Sequence, residues 1–295
     1  MKPTISLIGA GRVGCAVSKR LQVAGYPISA VISRNHGRAV AACNFIGCST
    51  TLASIQSIDA TTAQIILLAV PDDHISLVAQ QLQAQTKLTE QTTIIHFSGL
   101  HPANIMRHST SSATLLSLHP LLPFASRQIA FDKLTQCPCA LESSDELALA
   151  LGAQLVDAIG GQSFTIASDK KVLYHAAACI ASNYLVTLLA TAQELLIKCG
   201  IEPDQAIPLL LPLVQASVEN VQQIGTEQGL TGPIVRGDVG TVAKHIEALQ
   251  DNMPELLQPY LQLGNQTAVL AGKSDRLPPA KVIALHNLLR QKQQT

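Results

Sequence analysis

The sequence predicts an α/β chain, in which a doubly wound, mostly parallel sheet is followed by an all-α region. Three observations predict it. A strand, a Gly-x-Gly-x-x-Gly turn, a helix and a second strand follow one another between Ile5 and Arg34. Short apolar runs then alternate with helix-period segments as far as Ala167. Beyond Ala167 no strand pattern returns, and apolar residues recur with helical spacing to the end. The expected division is residues 1–167 for the sheet domain and 168–295 for the helical one.

Ile5-Ser6-Leu7-Ile8 is a short apolar run suited to a buried parallel strand. Gly9-Ala10-Gly11-Arg12-Val13-Gly14 follows at once, and Val13, Ala16, Val17, Leu21 and Ala24 then carry helical spacing. Pro27 to Ile32 reads as the second strand. This is the dinucleotide-binding unit of a doubly wound sheet. Gly9 permits the tight turn, Gly11 lets the backbone approach a pyrophosphate, and Gly14 lets the helix pack against the strand. Free N–H groups at the helix start hold the anion. At the end of the second strand an NAD-preferring site usually has an acid for the ribose 2′-hydroxyl. Here the residues are Ser33, Arg34 and Asn35, with Arg38 one turn on, and no carboxylate occurs before Asp59. A hydroxyl and guanidinium groups suit a 2′-phosphate. The expected cofactor is therefore NADP(H).

Ala39 to Phe45 reads as a short helix, Ile46 to Ser49 as a short strand and Thr51 to Ile58 as helical. Ile65 to Val70 is a buried strand, and Pro71-Asp72-Asp73 opens a helix through Gln83. Val70 and Pro71 fall at the carboxyl edge of the sheet, where they would line the dinucleotide, and Asp72 or Asp73 is expected to cap the helix. Thr93 to Phe97 is the next strand. It ends at Ser98 and Gly99, a close backbone approach with a hydroxyl for a ligand oxygen, or else a plain turn. Leu115 to Leu118 ends at His119, a site residue or a satisfied turn histidine. Cys139 to Glu142, a helix from Asp145 to Ile159, and Gln162 to Ala167 complete the sheet.

Ser168-Asp169 then starts a long helix that Cys199-Gly200 closes. It is apolar nearly all round, so burial on several sides is expected. Pro203 to about Ile224 is a second helix, which Pro208 and Pro212 should kink or restart. Gly225 to Gly240 reads as irregular, before helices at Val239 to Leu249, Pro254 to Leu270 and Pro279 to Arg290.

With 47% apolar and 14% charged residues and no net charge, the 295-residue chain should bury much surface and form an apolar subunit interface. Nothing in it suggests nucleic-acid binding. Seven cysteines lack metal-ligand spacing, so no metal is expected, and free thiols suit a reducing cytoplasm. Strand pattern begins too early for a signal peptide, and the apolar runs, such as Ile65 to Val70, are too short to cross a bilayer.

Two clusters in the second half could carry chemistry. Lys171 and His175 are four apart and share a helical face, and Asn183 lies within about 80° of His175 at 100° per residue. Facing a cofactor, they could bind and protonate a carbonyl oxygen. They could also be a solvated lysine, a satisfied histidine and a bridging amide. The second cluster runs from Leu230 to Thr241. There Thr231, Arg236, Asp238 and Thr241 could take a small carboxylate substrate, or Arg236 and Asp238 could pair to order the loop.

The chain resembles the Rossmann-like and DUF2520 domain-containing oxidoreductases. The motifs that carry the resemblance are GAGRVG at Gly9, AVPDDHI at Ala69, HFSGL at His96, SLHPL at Ser117, YHAAACIASN at Tyr174 and LTGPIVRGDVGT at Leu230. That family looks related to pyrroline-5-carboxylate, ketopantoate and 6-phosphogluconate enzymes. The resemblance implies an N-terminal Rossmann domain, a helical C-terminal domain and a homodimer joined through the helices. It also implies reduction of a small carboxylated 2-oxo acid, with ketopantoate foremost because some members are implicated in pantothenate synthesis. Lys171 matches the lysine of ketopantoate reductases, whereas their asparagine one turn later is His175 here. Their acid near the last substrate helix has no close match here, and Asp238 is the candidate for it. Thr241 stands at the threonine of the pyrroline-5-carboxylate reductase loop, and those enzymes lack the lysine. Imine reduction and a non-catalytic NADP(H) sensor are the alternatives.

Overall fold

The computed structural model describes residues 1–52, 54–58, 63–85, 88–107, 112–274 and 276–291. The chain divides into two compact units, Met1–Asn183 and Tyr184–Thr295.

The first unit is built on eight strands in the order β3-β2-β1-β4-β5-β6-β7-β8. They are β1 (Ile5–Ile8), β2 (Ile28–Ile32), β3 (Thr51–Leu52), β4 (Ile65–Leu68), β5 (Thr93–His96), β6 (Thr114–Pro120), β7 (Pro138–Glu142) and β8 (Gln162–Thr165). All neighbours run parallel except β6 and β7, which are antiparallel. The fold is thus the doubly wound sheet the sequence predicts. Both faces of the central strands are buried. Ile65 and Leu67 enter one core with Ile5, Leu7 and Val31, while Ile66 and Leu68 enter the other with Ile8 and Ile32. This alternation is the two-residue period of a strand, and each such side chain stabilises the fold by roughly 1.5–3 kcal/mol.

Helices α1 (Arg12–Val23), α2 (His36–Ile46), α3 (Ile75–Gln85), α4 (Arg127–Lys133) and α5 (Glu146–Ala158) cover the sheet. Some local expectations shift. Helix α2 runs through Ile46 and stops at Gly47 in the left-handed conformation, so no strand forms over 46–49. The third strand is Thr51–Leu52, followed by a 3₁₀ turn at Ile55–Ser57 rather than a helix; residue 53 lies outside the described residues.

The unit ends with α6 (Lys171–Cys179) and a π-helical turn, Ile180–Tyr184, that reaches the boundary. Helix α6 therefore belongs with the sheet and not with the following helices, because Lys171 and Tyr174 bond to residues of β5, β6 and their ends. The span Ser168–Lys198 is helical for 31 residues, with a mean hydropathy of 1.5. Contrary to the sequence reading, it is long and apolar enough to cross a membrane by length and composition. Its first turns, however, are bonded into a sheet.

The second unit holds α7 (Leu185–Lys198), α8 (Pro203–Gly229), α9 (Val239–Asn252), α10 (Leu257–Gly272) and α11 (Pro279–Gln291). Val242, Ile246, Leu261, Ala268, Leu285 and Leu289 form its core. The kink in α8 is at Gly225, where φ is 78° and ψ is 172°, and not at Pro208 or Pro212, which stay within the helix. Helix α7 has no buried residue within this chain, against the expected burial.

Candidate functional site

The first six strands run parallel, so their carboxyl ends share one edge. There a cleft of about 1020 Å³ opens. Gly9, Ala10, Gly11, Val70 and Pro71 line one part of it, and Ser33, Arg34, Asn35 and Arg38 line another. The glycine turn is shaped for an anion. Gly9 has φ +102°, and a Cβ there would fall 2.3 Å from the Ala69 oxygen. A Cβ on Gly14 would fall 2.4 Å from the Ala69 Cβ, so the helix lies directly on the strand end. Helix α1 starts after Gly11 with no side-chain cap and no acid in its first turn. Its first N–H groups, from Arg12 and Val13 on, suit a pyrophosphate. The Arg12 Nη1 donates to the Phe124 carbonyl at 3.2 Å, and the Arg127 Nη2 donates to the Ala10 carbonyl at 2.9 Å. These two bonds tie the loop after β6 to the glycine turn. Sequence reasoning missed Arg127, which has no local pattern. Asn35 caps α2 by accepting from the Arg38 N–H at 3.0 Å. Arg34 and Arg38 are exposed at the cleft. The residues present fit a dinucleotide carrying a 2′-phosphate.

Around the ends of β5 and β6 lies a second group of side chains. The His119 Nδ1 and the Tyr174 hydroxyl are 2.7 Å apart. Their rings meet edge to face at 5.5 Å, and the His175 ring lies 6.4 Å from that of His119. Both imidazoles press on Gly99. A Cβ there would be 2.8 Å from the His175 Cδ2 and 2.9 Å from the His119 Cε1 and Nε2. Burial, then the Lys171 ammonium and His175, lower the His119 pKa to about 4, against a smaller opposing pull from Asp72. Burial raises the Tyr174 pKa to about 12, with Cys139 and Cys137 adding to it. Tyr174 was not singled out from the sequence, although its place three residues after Lys171 puts it on the same helical face.

Lys171 is not a cleft residue. Its side chain is 0% exposed, and its Nζ donates to the Ser117 Oγ at 2.7 Å and the Ser98 carbonyl at 3.2 Å. Burial lowers its pKa to about 8, against Glu142 and Asp72, which raise it. The buried Glu142 accepts from the Ala103 N–H at 2.5 Å and the Ser168 hydroxyl at 2.6 Å. Ser98 is buried as well. Its hydroxyl donates to Asp72 at 2.8 Å and accepts from the Leu100 and His101 N–H groups. With its oxygen engaged three times, it orders the loop and does not serve a ligand. Asp72 accordingly serves Ser98 instead of acting as the expected helix cap; the cap position of its 3₁₀ turn is Pro71. His96 is fully buried. Its Nδ1 accepts from the Ser98 N–H at 3.1 Å, its Nε2 pairs with the Pro102 carbonyl at 3.2 Å, and burial lowers its pKa to about 3. Ser117 and Glu142 were legible only as polar residues inside apolar strands.

Asn183 is exposed and lies in the π-helical turn. A π turn closes over five residues, so the α-helical wheel that sets Asn183 beside His175 does not apply across it. In the second unit, Asp238 caps α9. Its carboxylate accepts from the Thr241 N–H at 3.0 Å and the Thr241 hydroxyl at 2.7 Å. These bonds hold the Asp238 carboxyl below its usual range. Asp238 and Thr241 thus build a helix start, while Thr231 and Arg236 are exposed. Among the described residues no ion pair joins Arg236 to Asp238, and no cluster suits a metal.

Residues 2–120 match the Rossmann-like domain, and residues 137–267 match the domain of unknown function DUF2520. The chain is a Rossmann-like and DUF2520 domain-containing protein. Its fold is shared with a protein from Bacteroides fragilis assigned provisionally as an NADP oxidoreductase, at 21% identity and a TM-score of 0.74, over 92% of this chain and 98% of that one. A protein from Thermotoga maritima is 25% identical with a TM-score of 0.71, over 92% of this chain and 100% of that one. A pyrroline-5-carboxylate reductase from Coxiella burnetii is 17% identical with a TM-score of 0.58, over 93% and 98%. No curated protein matches the sequence.

Proposed function

We propose that the protein is an NADPH-dependent reductase of a small 2-oxo acid, with ketopantoate the first substrate to test, and that it works as a homodimer in the cytoplasm. One observation carries this reading. A single sheet edge holds an anion cradle with two arginines at the cleft, and also holds a phenol and two imidazoles packed on the backbone at Gly99. The glycine turn and the start of α1 would hold the pyrophosphate, and Arg34 and Arg38 would hold the 2′-phosphate. When bound, NADPH supplies a hydride to an electrophilic carbon. His119 and His175 would then border the reacting oxygen. Lys171 would act from below, by fixing the Ser98–Gly99 backbone on which both imidazoles rest.

The similar proteins support the cofactor through their names, one an NADP oxidoreductase by provisional assignment. Pairing into a dimer is supported by apolar side chains left exposed on α7 and α8, among them Val186, Leu188, Leu209, Leu213, Val218 and Val221. The cytoplasm is supported by seven free thiols. A second reading, reduction of an imine, is raised by the shared fold with the Coxiella burnetii enzyme. The test is NADPH oxidation by purified protein with ketopantoate, beside NADH and pyrroline-5-carboxylate. Turnover with NADPH and ketopantoate supports the first reading, and turnover with the pyrroline supports the second. Tight NADPH binding with no turnover on either would leave a cofactor sensor.

A further inference from the structure

We propose that His119 works as a neutral imidazole whose Nε2–H donates to the oxygen of a carbonyl substrate, and that Tyr174 is the positioning residue that fixes this tautomer. The inference rests on the reductase reading and names the acceptor that the same site selects.

The geometry at Nδ1 comes first. At 2.7 Å, its contact with the Tyr174 hydroxyl is at the short end for N–H···O and ordinary for a bond donated by O–H. Phenol is a stronger donor than acceptor, and a neutral imidazole nitrogen is a good acceptor. Tyr174 therefore donates, Nδ1 accepts, and the ring proton sits on Nε2. The edge-to-face packing of the two rings, at 88°, holds the imidazole in that orientation, and the Phe164 ring also packs on Tyr174, at 6.1 Å. The remaining nitrogen, Nε2, lies over the Gly99 backbone, 2.9 Å from where a Cβ would stand. Glycine at 99 lets the ring reach this position.

The electrostatics agree with this. The Lys171 ammonium is the positive charge beside the ring, the imidazoles of His175 and His96 are its other basic neighbours, and Asp72 is the acid that faces it. Burial and the Lys171 charge keep the ring neutral at physiological pH. A neutral ring with a fixed donor cannot accept from Nε2.

This sets the substrate class. In carbonyl reduction the hydride of NADPH, a proton with an electron pair, adds to the carbonyl carbon. The π pair moves to oxygen, NADP⁺ is left, and water supplies the proton that converts the alkoxide to an alcohol. The growing oxygen charge strengthens a bond from Nε2–H during the step. A protonated imine presents an N–H⁺ and no lone pair, so the same donor would oppose it. The site thus favours C=O over C=N⁺.

The test uses the full-length protein and begins without any ligand. Nitrogen-15 NMR of the imidazoles should show His119 neutral from pH 6 to 8, with the proton on Nε2 and Nδ1 as acceptor. In Tyr174→Phe the signal should shift toward a mixture of tautomers. A proton on Nδ1, or an imidazolium at pH 7, would overturn the inference whether or not turnover is seen. Kinetics with ketopantoate provide a second arm. His119→Gln can place an amide N–H near Nε2 and should keep part of kcat. His119→Asn, which mimics Nδ1, should lose about 10²–10³-fold, the usual loss for one oxyanion donor, with KM for NADPH unchanged. Equal losses in the two variants would also overturn it. If neither substrate turns over, the proposed function fails and the tautomer measurement still decides this inference.

Discussion

Replacing Lys171 by methionine tests whether the lysine works from below the site. The ammonium is fully buried and donates to Ser117 and to the Ser98 carbonyl. At pH 7 two effects oppose each other. Losing bonds made by a charged donor costs ~1.5–3 kcal/mol each, while methionine removes the cost of burying the charge. The pH dependence separates the two. Burial lowers the Lys171 pKa from 10.5 to about 8. Between those values the unfolded chain holds the proton and the folded chain does not, so wild-type stability rises with pH. At about 1.36 kcal/mol per pH unit, this gain amounts to about 2.5 kcal/mol between pH 7 and 10. Lys171→Met lacks it, and groups that titrate in both proteins cancel in the difference.

Urea unfolding of both proteins at intervals of pH is the assay. The stability of wild type minus that of Lys171→Met should grow more positive as pH rises, most steeply between 8 and 10. A difference that stays flat or shrinks would refute the reasoning, because it would mean that the ammonium is solvated in the folded chain. Turnover in Lys171→Met should fall with little change in the NADPH affinity, since the glycine turn and the arginines are separate from the Ser98 loop.

Further predictions concern the cleft and the exposed helices. Gly99→Ala puts a methyl against both His119 and His175, so it should lower stability by about 1–3 kcal/mol, as overpacking does, and cut turnover more than cofactor binding. Calorimetry and kcat with separate KM values check this. Arg34→Ala and Arg38→Ala should each weaken NADPH binding by about 10–100-fold, the worth of a charge-assisted bond. They should leave NADH binding unchanged by fluorescence titration. Leu213→Glu, on the exposed apolar surface of α8, should shift the protein from dimer to monomer in sedimentation while far-UV circular dichroism stays constant.

The sheet was legible because buried parallel strands read as unbroken apolar runs, and Ile65–Leu68 is such a run with both faces covered. The glycine turn was legible because its spacing sits directly between a strand and a helix, β1 and α1, even though the atoms that exclude a Cβ at Gly9 and Gly14 include those of the distant Ala69. The roles of Ser98, Asp72 and Lys171 were not legible. Each depends on a partner tens of residues away, and a hydroxyl that donates to Asp72 has the same sequence appearance as one that serves a ligand. Asn183 failed for a different reason. The wheel assumes a constant turn, and a π-helical turn at Ile180–Tyr184 leaves no mark in residue type. The kink of α8 shows the converse. Pro208 and Pro212 lie inside the helix without breaking it, and the break comes at Gly225, where φ is positive.

The long apolar helix was the most misleading element, and its two ends explain why. At one end, Lys171 and Tyr174 point into the sheet and are held by Ser98, Ser117 and His119. A lysine there costs free energy unless its bonds are made, so it reads as either solvated or functional. It is in fact a buried tie. Over the rest, Val172, Leu173, Ile180, Val186 and Leu188 remain exposed in the single chain. Apolarity all round a helix signals burial, but it does not say against what. In a chain with only 14% charged residues, surface left uncovered by its own core requires another cover. A second copy, as proposed above, would meet that need with the same surface, while the buried lysine holds α6 on the sheet where the candidate site is built.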